Sequence, residues 1–435
     1  MSPEWIGIIG IIVLLCVLFF LGMPVGFAMA VVGFCGFWYS VSFTAAIGMV
    51  GGDVWSTFSS YGLTVVPLYI FMGYIAFNSG MAERLYHAAY KWVGHWPGGL
   101  AIATIGADEM FAAICGSNTA TAATMGAVAL PEMKKYNYDP RLSAGTVATG
   151  GTLGVVMPPS VVLIIIGLQT GQSIAELFLA GILPAILLGF LFVATILILC
   201  RVRPGFGPPG PKTTFKEKLS SLPGILEALA VFVLVIGGLY SGIFTPTEAG
   251  AFGVLATVVV SIGGRRLTWK GVIAALKDSL WISCMCFFLV TGATIFGRFL
   301  AVTRLPFAVA DYAAQLPVSP YIVLAVILLI YVIGGCVMDA LGFLVVTIPI
   351  FFPLGVALGF NPVWYSVILT MVTTLGALTP PVGVNIYVVK ALAPDVALGD
   401  IFKSVSFFVM ASVAAMIILT LFPGIALVLP RLLHG

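Results

Sequence analysis

An eight-residue segment that occurs twice decides the fold of this chain. Residues 152–159 read TLGVVMPP, and residues 374–381, 222 positions later, read TLGALTPP. Proline lacks a backbone N–H and its ring opposes the carbonyl four residues earlier, so each segment predicts a break within a helix. Pro131 and Pro353 have the same spacing. The repeat therefore predicts a molecule built from two related halves.

Composition places the chain in a lipid bilayer. Of its 435 residues, 61% are hydrophobic and 8% are charged, whereas soluble domains carry about 25% charged residues. The mean hydropathy is +1.16. All seven cysteines lie within or beside apolar runs, which favours packing over a disulfide framework. The composition excludes a soluble enzyme, a secreted disulfide scaffold and a nucleic-acid-binding protein.

Two regions differ from the apolar segments that are long enough to span. Spanning segments are predicted at residues 5–21, 24–42, 60–79, 140–170, 174–200, 223–243, 246–262, 272–300, 361–391 and 398–430. Residues 97–134 and 318–357 instead hold two shorter arms each, separated by Gly-rich turns at 115–118 and 334–339. Arms of about 22–28 Å are shorter than a hydrocarbon core of about 30 Å. These regions therefore predict re-entrant hairpins, whose tips must lie in protein or at a cavity.

Charge placement predicts the orientation. Sixteen of the 19 Lys and Arg residues fall on one side, in residues 81–96, 134–141, 201–222, 263–277 and 390–403. The positive-inside rule makes that side cytoplasmic and places both termini outside. The first hairpin then has its base inside and the second outside. This is the inverted repeat of secondary transporters, which predicts an all-α polytopic membrane protein.

The predicted domains follow from these segments. Amphipathic stretches at 81–96 and 304–317 (helical over Leu305 to Leu316) are expected to be interfacial arms. The division is scaffold helices at 1–80, an arm at 81–96, the first repeat of a transport domain at 97–200, a cytoplasmic loop at 201–222, scaffold helices at 223–303, an arm at 304–317 and the second repeat at 318–435.

The breaks and tips supply the candidate chemistry. Each break frees backbone carbonyls that suit Na⁺ and exposes a helix N-terminus that suits an anion. The first tip carries hydroxyl and amide oxygens at Ser117, Asn118 and Thr119, a set that suits an alkali cation or a hydrogen-bonded anion. Asp339 at the second tip predicts either a bound cation or a structural hydrogen-bond anchor. Asp108 and Glu109, earlier in the first hairpin, leave open an anchor, a water-facing position or direct contact with substrate or ion.

These motifs resemble those of the large membrane subunit of tripartite ATP-independent periplasmic (TRAP) transporters. The resemblance covers essentially the whole chain. It rests on FAAICGSNTATAA at 111–123, ALPEM at 129–133, LG at 153–154 with PPS at 158–160, MD at 338–339 and LTPPVG at 378–383. It implies an elevator mechanism in the bacterial inner membrane, with Na⁺ as the coupling ion and no other cofactor. It also implies three partners: a small membrane (Q) subunit, a periplasmic binding (P) protein and a small organic acid.

The resemblance also implies site residues. One Na⁺ is expected at Ser117, Asn118, Gly154 and Pro158, and a second at Gly334, Asp339, Gly376 and Thr379. Substrate contacts are expected at Asn118, Thr119, Pro159, Ser160 and Pro381. The family often has Ser-Ser where this chain has Ser117-Asn118, which leaves open whether Asn118 contacts ion or substrate. Arg298 and Arg304, on the outer face, are expected to help dock the binding protein.

Two other functions remain open at this point. The first is a stand-alone Na⁺/divalent-anion symporter without a binding protein, which would transport as a single subunit. The second is a channel, which would not show one solute per conformational cycle. No Gly-x-x-x-x-Gly-Lys-Ser/Thr motif for ATP occurs in the sequence, so the sequence predicts a secondary transporter and not an enzyme.

Overall fold

Every element of regular structure in residues 2–315 and 317–434, the part of the chain that this computed structural model describes, is a helix. The first half contains α1 (Pro3–Leu21), α2 (Val25–Ser40), α3 (Phe43–Phe58), a 3₁₀ turn (Tyr61–Thr64), α4 (Val65–Asn78), α5 (Met81–Val93), α6 (Gly99–Cys115), α7 (Asn118–Lys135), α8 (Pro140–Gly150), α9 (Leu153–Val156), α10 (Val161–Thr170) and α11 (Ile174–Val202). The second half contains α12 (Phe215–Tyr240), α13 (Pro246–Gly263), α14 (Trp269–Val302), α15 (Leu305–Gln315), α16 (Pro320–Gly335), α17 (Ala340–Ala357), α18 (Pro362–Gly376), α19 (Val384–Leu392), α20 (Leu398–Leu421) and α21 (Gly424–His434).

The predicted polytopic membrane protein is confirmed. Within the described residues, nine helical stretches are long and apolar enough to cross a bilayer. Their outward faces carry large apolar side chains, such as Phe20 at 85% and Trp281 at 76% exposure. Such a surface requires lipid, since exposed apolar patches of this extent are foreign to soluble monomers.

The first hairpin consists of α6 and α7, joined by only Gly116 and Ser117. The N–H of Leu100, an orphan donor in the first turn of α6, donates to the Tyr138 hydroxyl oxygen just beyond α7 at 3.1 Å. Both ends of the hairpin therefore lie at one end of the molecule, as predicted. Burial raises the pKa of the Tyr138 phenol to about 12, so its hydroxyl stays neutral at physiological pH.

The second hairpin, α16 and α17, has its base at the opposite end. The rings of Tyr321 and Phe360, one from each end of the hairpin, lie 5.8 Å apart. Next to them, the Trp364 indole donates to the carbonyl of Leu419, near the end of α20. Because α20 begins at Leu398 and is about 36 Å long, this base lies far from residues 390–403. The inverted arrangement of the hairpins is thus confirmed.

Each half also contains the broken helix that its Pro-Pro segment predicts. In the first half α8 ends at Gly150, a short α9 follows, and α10 begins at Val161. In the second half α18 ends at Gly376 and α19 begins at Val384. Residues 151–160 are called the first break and residues 377–383 the second break below. Likewise, residues 116–121 are the first tip and residues 336–339 the second tip.

The predicted basic segments meet at one end. Glu227 pairs with both Arg84 and Arg266, the latter at 3.1 Å, and Lys134 pairs with Asp395 at 3.2 Å. In the described residues, ion pairs thus link 81–96 with 263–277 and 134–141 with 390–403. The fifth, residues 201–222, joins them through backbone hydrogen bonds: Gly98 N–H to Gly207 O (2.8 Å), Asp139 N–H to Phe206 O (3.0 Å) and Gly210 N–H to Gly94 O (2.9 Å). Which face of the membrane this end occupies stays a prediction.

Three segments differ from the sequence expectation. Residues 43–58, expected to connect two spans, form α3, whose start is capped by the Ser42 hydroxyl. Helix α12 begins at Phe215 rather than at residue 223, because Thr214 and Glu217 form a capping box. The last predicted span divides after Leu421, next to a proline. The predicted end of the second arm, Leu316, lies outside the described residues.

Candidate functional site

The first tip lies directly against the first break through two glycines. A Cβ built on Gly154 would lie 2.5 Å from the carbonyl oxygen of Ser117, and one built on Gly116 would lie 2.9 Å from the carbonyl oxygen of Pro159. Gly116 also has a φ of +64°, which side chains with a Cβ rarely adopt. The predicted partners Ser117 and Gly154 are therefore brought together, and only glycine fits at this contact.

Three side-chain oxygens around this contact are buried without a hydrogen-bond partner in the described residues. They belong to Asn118 (Oδ1), Thr121 (Oγ1) and Asn385 (Oδ1). Thr121 Oγ1 would lie 2.8 Å from a Cβ on Gly154, and Gly151 lies between the Asn118 carbonyl and the Asn385 amide. Buried polar atoms are nearly always paired, so these oxygens have capacity to bind a small polar group or cation. Amide and hydroxyl oxygens are the donors that a hard cation prefers.

Asn385 and the role of Thr121 are not among the predictions made from sequence. Asn385 is fully buried at the start of α19, and its Nδ2 donates to the Ala148 carbonyl of α8 at 3.1 Å. It thus links the two broken helices. A polar side chain in an apolar membrane segment was the available signal. The ring of Pro158 lies beside Gly181 of α11, and its role at the first tip stays a prediction.

In the second half the glycine contact lies at the ends of α16 and α18, directly beside the second tip and the second break. A Cβ built on Gly335 would lie 3.0 Å from Gly376 Cα, and the Val382 N–H donates to the Cys336 carbonyl at 3.2 Å. Gly334, the predicted partner, faces the Phe343 ring instead. The structure therefore brings Gly335 rather than Gly334 to Gly376. The Thr379 hydroxyl lies in the second break and donates to the Leu375 carbonyl at 2.5 Å.

Asp339 occupies the N-cap of α17. Its Oδ2 accepts a hydrogen bond from the Leu341 N–H at 3.1 Å. This bond is the structural anchor that the sequence predicts as one of two alternatives for Asp339. The residue is nevertheless exposed and lines a cavity. A carboxylate that caps a helix with one oxygen still has capacity for a cation at the other.

That cavity of about 340 Å³ lies between the two tips and the helices α4 and α14. Its polar wall includes Ser117, Asn118, Thr119 and Asp339. The opposite wall is mainly apolar and aromatic and includes Ile70, Tyr74, Phe77, Ile282 and Met285. No Lys, Arg or His is among its lining residues.

Three helix N-termini point at the cavity. The first residues of α7 (Asn118), α10 (Val161) and α17 (Ala340) all line it. Unpaired N–H groups and the helix dipole make such termini favourable for an anion. The cavity therefore has an anion-binding character without a basic side chain.

The remaining predicted substrate residues divide into two groups. Asn118 and Thr119 line the cavity, whereas Pro159, Ser160 and Pro381 are not among its lining residues. Ser160 is fully buried and caps α10 through the Leu163 N–H at 3.4 Å. Pro381 is exposed in the second break.

The two arginines proposed for docking have different surroundings. Arg298 forms an ion pair with Asp53 of α3 at 3.1 Å; the arginine side chain is 61% exposed and that of the aspartate only 4%. Arg304 lies in the turn between α14 and α15 with a φ of 56°. Arg298 thus also has a structural role, since Asp53 is buried.

The comparisons with known proteins match this architecture. The sequence model of the family "Tripartite ATP-independent periplasmic transporter, DctM component" matches residues 12–425. The chain belongs to this TRAP transporter family. A similar protein, the C4-dicarboxylate TRAP transporter large permease protein DctM of Pseudomonas aeruginosa, is 33% identical over 87% of this chain and 88% of its own length. The sialic acid TRAP transporter large permease protein SiaM of Vibrio cholerae is 30% identical over 96% and 97%.

Other similarities extend this picture. The isethionate TRAP transporter permease protein DctMQ of Oleidesulfovibrio alaskensis is 31% identical over 87% of this chain and 60% of its own length. Among solved structures, the YdaH transporter of Alcanivorax borkumensis matches with a TM-score of 0.62 at 13% identity, over 87% of this chain and 89% of that one. At that identity the match establishes the fold alone. The chain is thus a TRAP-family permease with a transporter fold.

Proposed function

We propose that this chain is the membrane permease of a Na⁺-coupled importer that takes up a small organic acid from a periplasmic binding protein. The observation that carries this proposal is the group of unpaired oxygens of Asn118, Thr121 and Asn385 beside a cavity that three helix N-termini face. The first feature suits Na⁺ and the second suits a carboxylate or sulfonate. Relatives named for dicarboxylate, sialic acid and isethionate transport support an organic acid.

Na⁺ supplies the charge that the cavity lacks. An anion moved to membrane depth without a counter-charge is costly. With no basic residue in the lining, cations at the first tip and near Asp339 offset that cost. If the cations outnumber the substrate charges, each net charge moved through 100 mV contributes about 2.3 kcal/mol to uptake. A transport domain made of the hairpins and broken helices then carries ion and acid across by an elevator movement.

The partners proposed here are a small membrane subunit and a periplasmic binding protein. Family membership and the related DctMQ permease support the small subunit. Arg298 and Arg304 are proposed contacts for the binding protein on the outer face. Arg304→Glu is the cleaner test, because Arg298 also neutralises Asp53. Weaker stimulation of uptake by the binding protein is expected; unchanged stimulation would remove Arg304 from the docking surface.

The deciding experiment reconstitutes the three components in proteoliposomes. The binding protein is first screened with C4-dicarboxylates, sialic acid and isethionate by thermal shift, and uptake of the acid that binds is then measured. Uptake is expected only when an inward Na⁺ gradient and all three components are present. Uptake by the chain alone would favour the stand-alone symporter. Uptake that persists with K⁺ in place of Na⁺ would contradict the coupling.

A further inference from the structure

The first hairpin carries two enclosed carboxylates that the proposed transport site does not use. Asp108 is fully buried, and all four carboxylate oxygens of Asp108 and Glu109 are enclosed without a hydrogen-bond partner in the described residues. They lie on α6, seven and six residues before Cys115, or about 10 Å from the first tip. Neither lines the cavity. They therefore form a separate feature of the hairpin.

Each carboxylate is pressed against a bare glycine backbone. A Cβ built on Gly150 of α8 would overlap the Asp108 carboxylate, and one built on Gly189 of α11 would overlap that of Glu109. Contacts this close leave no room on those sides for a metal ion with its own ligands. Any ligand of these carboxylates must therefore be very small.

Unpaired hydroxyls lie on the same part of α8. Thr146 and Thr149 are fully buried, and neither hydroxyl has a partner among the described residues. Thr146 is one turn before Gly150, so it shares the face of α8 that meets Asp108. Several other buried threonine hydroxyls donate within their own helix, as that of Thr104 does to the Leu100 carbonyl at 2.9 Å. Thr146 therefore remains available to a protonated Asp108.

No basic group compensates the two carboxylates. The ion pairs in the described residues include neither of them. The helices packed against α6 carry these other titratable groups: Tyr69 and Tyr74 on α4; Glu83, Arg84, Tyr86, His87, Tyr90 and Lys91 on α5; Glu132, Lys134 and Lys135 on α7; Arg141 on α8; Glu176, Cys200 and Arg201 on α11; Lys216, Glu217, Lys218, Glu227 and Tyr240 on α12. Short α9 carries none.

We propose that Asp108 and Glu109 form a proton-binding site within the first hairpin, each holding one proton from water while α6 is packed against α8 and α11. A buried carboxylate without a counter-charge or donor becomes neutral rather than remaining ionised. A neutral acid tolerates the contacts with Gly150 and Gly189, and its O–H can donate to a threonine hydroxyl such as that of Thr146. Loss of the protons then requires α6 to separate from its neighbours.

Infrared spectroscopy of the purified chain tests this without any substrate. The wild type is expected to show the carbonyl stretch of protonated carboxylic acids at neutral pH, and Asp108→Asn with Glu109→Gln is expected to lose it. Glu132→Gln, in the same hairpin but paired with Lys135, is the matched control and retains the band. A spectrum unchanged by the double substitution would overturn the proposal. So would ionised carboxylates combined with a Na⁺-dependent thermal stabilisation that the double variant lacks.

A second measurement concerns pH dependence. Ionisation at alkaline pH places two charges against glycine backbone, so the thermal stability of the wild type is expected to fall as pH rises, whereas the Asn/Gln variant stays level. Equal profiles would contradict the site. The pH profiles of uptake are expected to differ between wild type and the Asn/Gln variant in the same way; this expectation rests on the proposed function. If neither the wild type nor any variant shows uptake, the proposed transport function is contradicted. The infrared result does not depend on that outcome.

Discussion

The two hairpin-and-break units of this molecule share a sequence pattern but differ in where tip and break touch. In the first unit Gly154 contacts Ser117. At the repeat spacing of 222 residues these positions correspond to Gly376 and Asp339. Gly376 instead contacts Gly335, one helical turn before Asp339. The contact has therefore moved by four residues between the two halves.

This shift has a chemical consequence. In the first unit, buried oxygens of Asn118, Thr121 and Asn385 lie near Gly151 and Gly154. In the second unit the shift leaves Asp339 uncovered beside the cavity, and Pro380 and Pro381 lie exposed. The repeat thus conserves the backbone arrangement but not the environment. The first unit therefore presents neutral, buried oxygens, whereas the second presents a single exposed carboxylate.

The largest expected effect comes from filling the two glycine contacts. Gly154→Ala and Gly376→Ala would each push tip and break apart, since both meet backbone atoms. Overpacking of this kind costs about 1–3 kcal/mol, and we expect uptake to fall about tenfold or more in both. Gly106→Ala, on α6 with open space around it, is the control. If only one variant loses activity, the two contacts are not equivalent.

The charge of Asp339 gives the next largest effect. Asparagine caps a helix as well as aspartate does, so Asp339→Asn keeps α17 intact while it removes the charge. We expect the Na⁺ concentration for half-maximal uptake to rise about tenfold, as for loss of a charged contact. Ser117→Ala, at the corresponding position, removes only a hydroxyl and is expected to have a smaller effect. Unchanged Na⁺ dependence in Asp339→Asn would leave this residue with its capping role alone.

Asn385→Ala tests the link between the units. The substitution leaves the Ala148 carbonyl without its donor and removes one of the unpaired oxygens. A buried group left unpaired costs about 1–3 kcal/mol. We expect a lower unfolding temperature in detergent and a reduced stabilisation by NaCl relative to choline chloride. Asn78→Ala is the control, because within the described residues the Asn78 side chain donates to the Tyr74 carbonyl of its own helix. A normal response to NaCl would exclude Asn385 from the cation site.

The smallest effects are expected at the hairpin bases. Tyr138→Phe removes the bond to the Leu100 N–H of the first hairpin, and Tyr365→Phe removes the bond from its hydroxyl to the Phe351 carbonyl of the second. Each loss costs about 0.5–1.5 kcal/mol. Thermal unfolding is expected to shift slightly in both, with uptake nearly unchanged. A severe loss of uptake in one variant would show that its base contact does more than hold the hairpin together.

The sequence predicted the parts of the fold that proline and glycine mark. Both breaks and both tips were found because Pro-Pro removes backbone donors and Gly permits backbone angles that end a helix. Helix α3 was missed because Gly48, Gly51 and Gly52 resemble a connecting segment. In the structure nothing lies within 4 Å of a Cβ on any of these three, so they fit within an open helix face.

The candidate site was predictable only in its local parts. Ser117, Asn118 and Gly154 follow from motifs and do meet in the structure. Asn385 joins them through packing of α19 against α8, which no local pattern encodes. The choice between Gly334 and Gly335 depends on helix phase, because each faces a different neighbour. Tertiary contacts of this kind cannot be read from spacing alone.

The segment that joins the two halves has a practical consequence for labelling. Residues 203–214 contain several prolines and glycines and would ordinarily be chosen for a protease site or a fluorescent insertion. Yet their backbone is fastened to Gly94, Gly98 and Asp139, at the base of the first hairpin. A reporter placed there would disturb that base instead of acting as a silent tag. The exposed turn at Gly242, where a Cβ would meet nothing within 4 Å, is the better position.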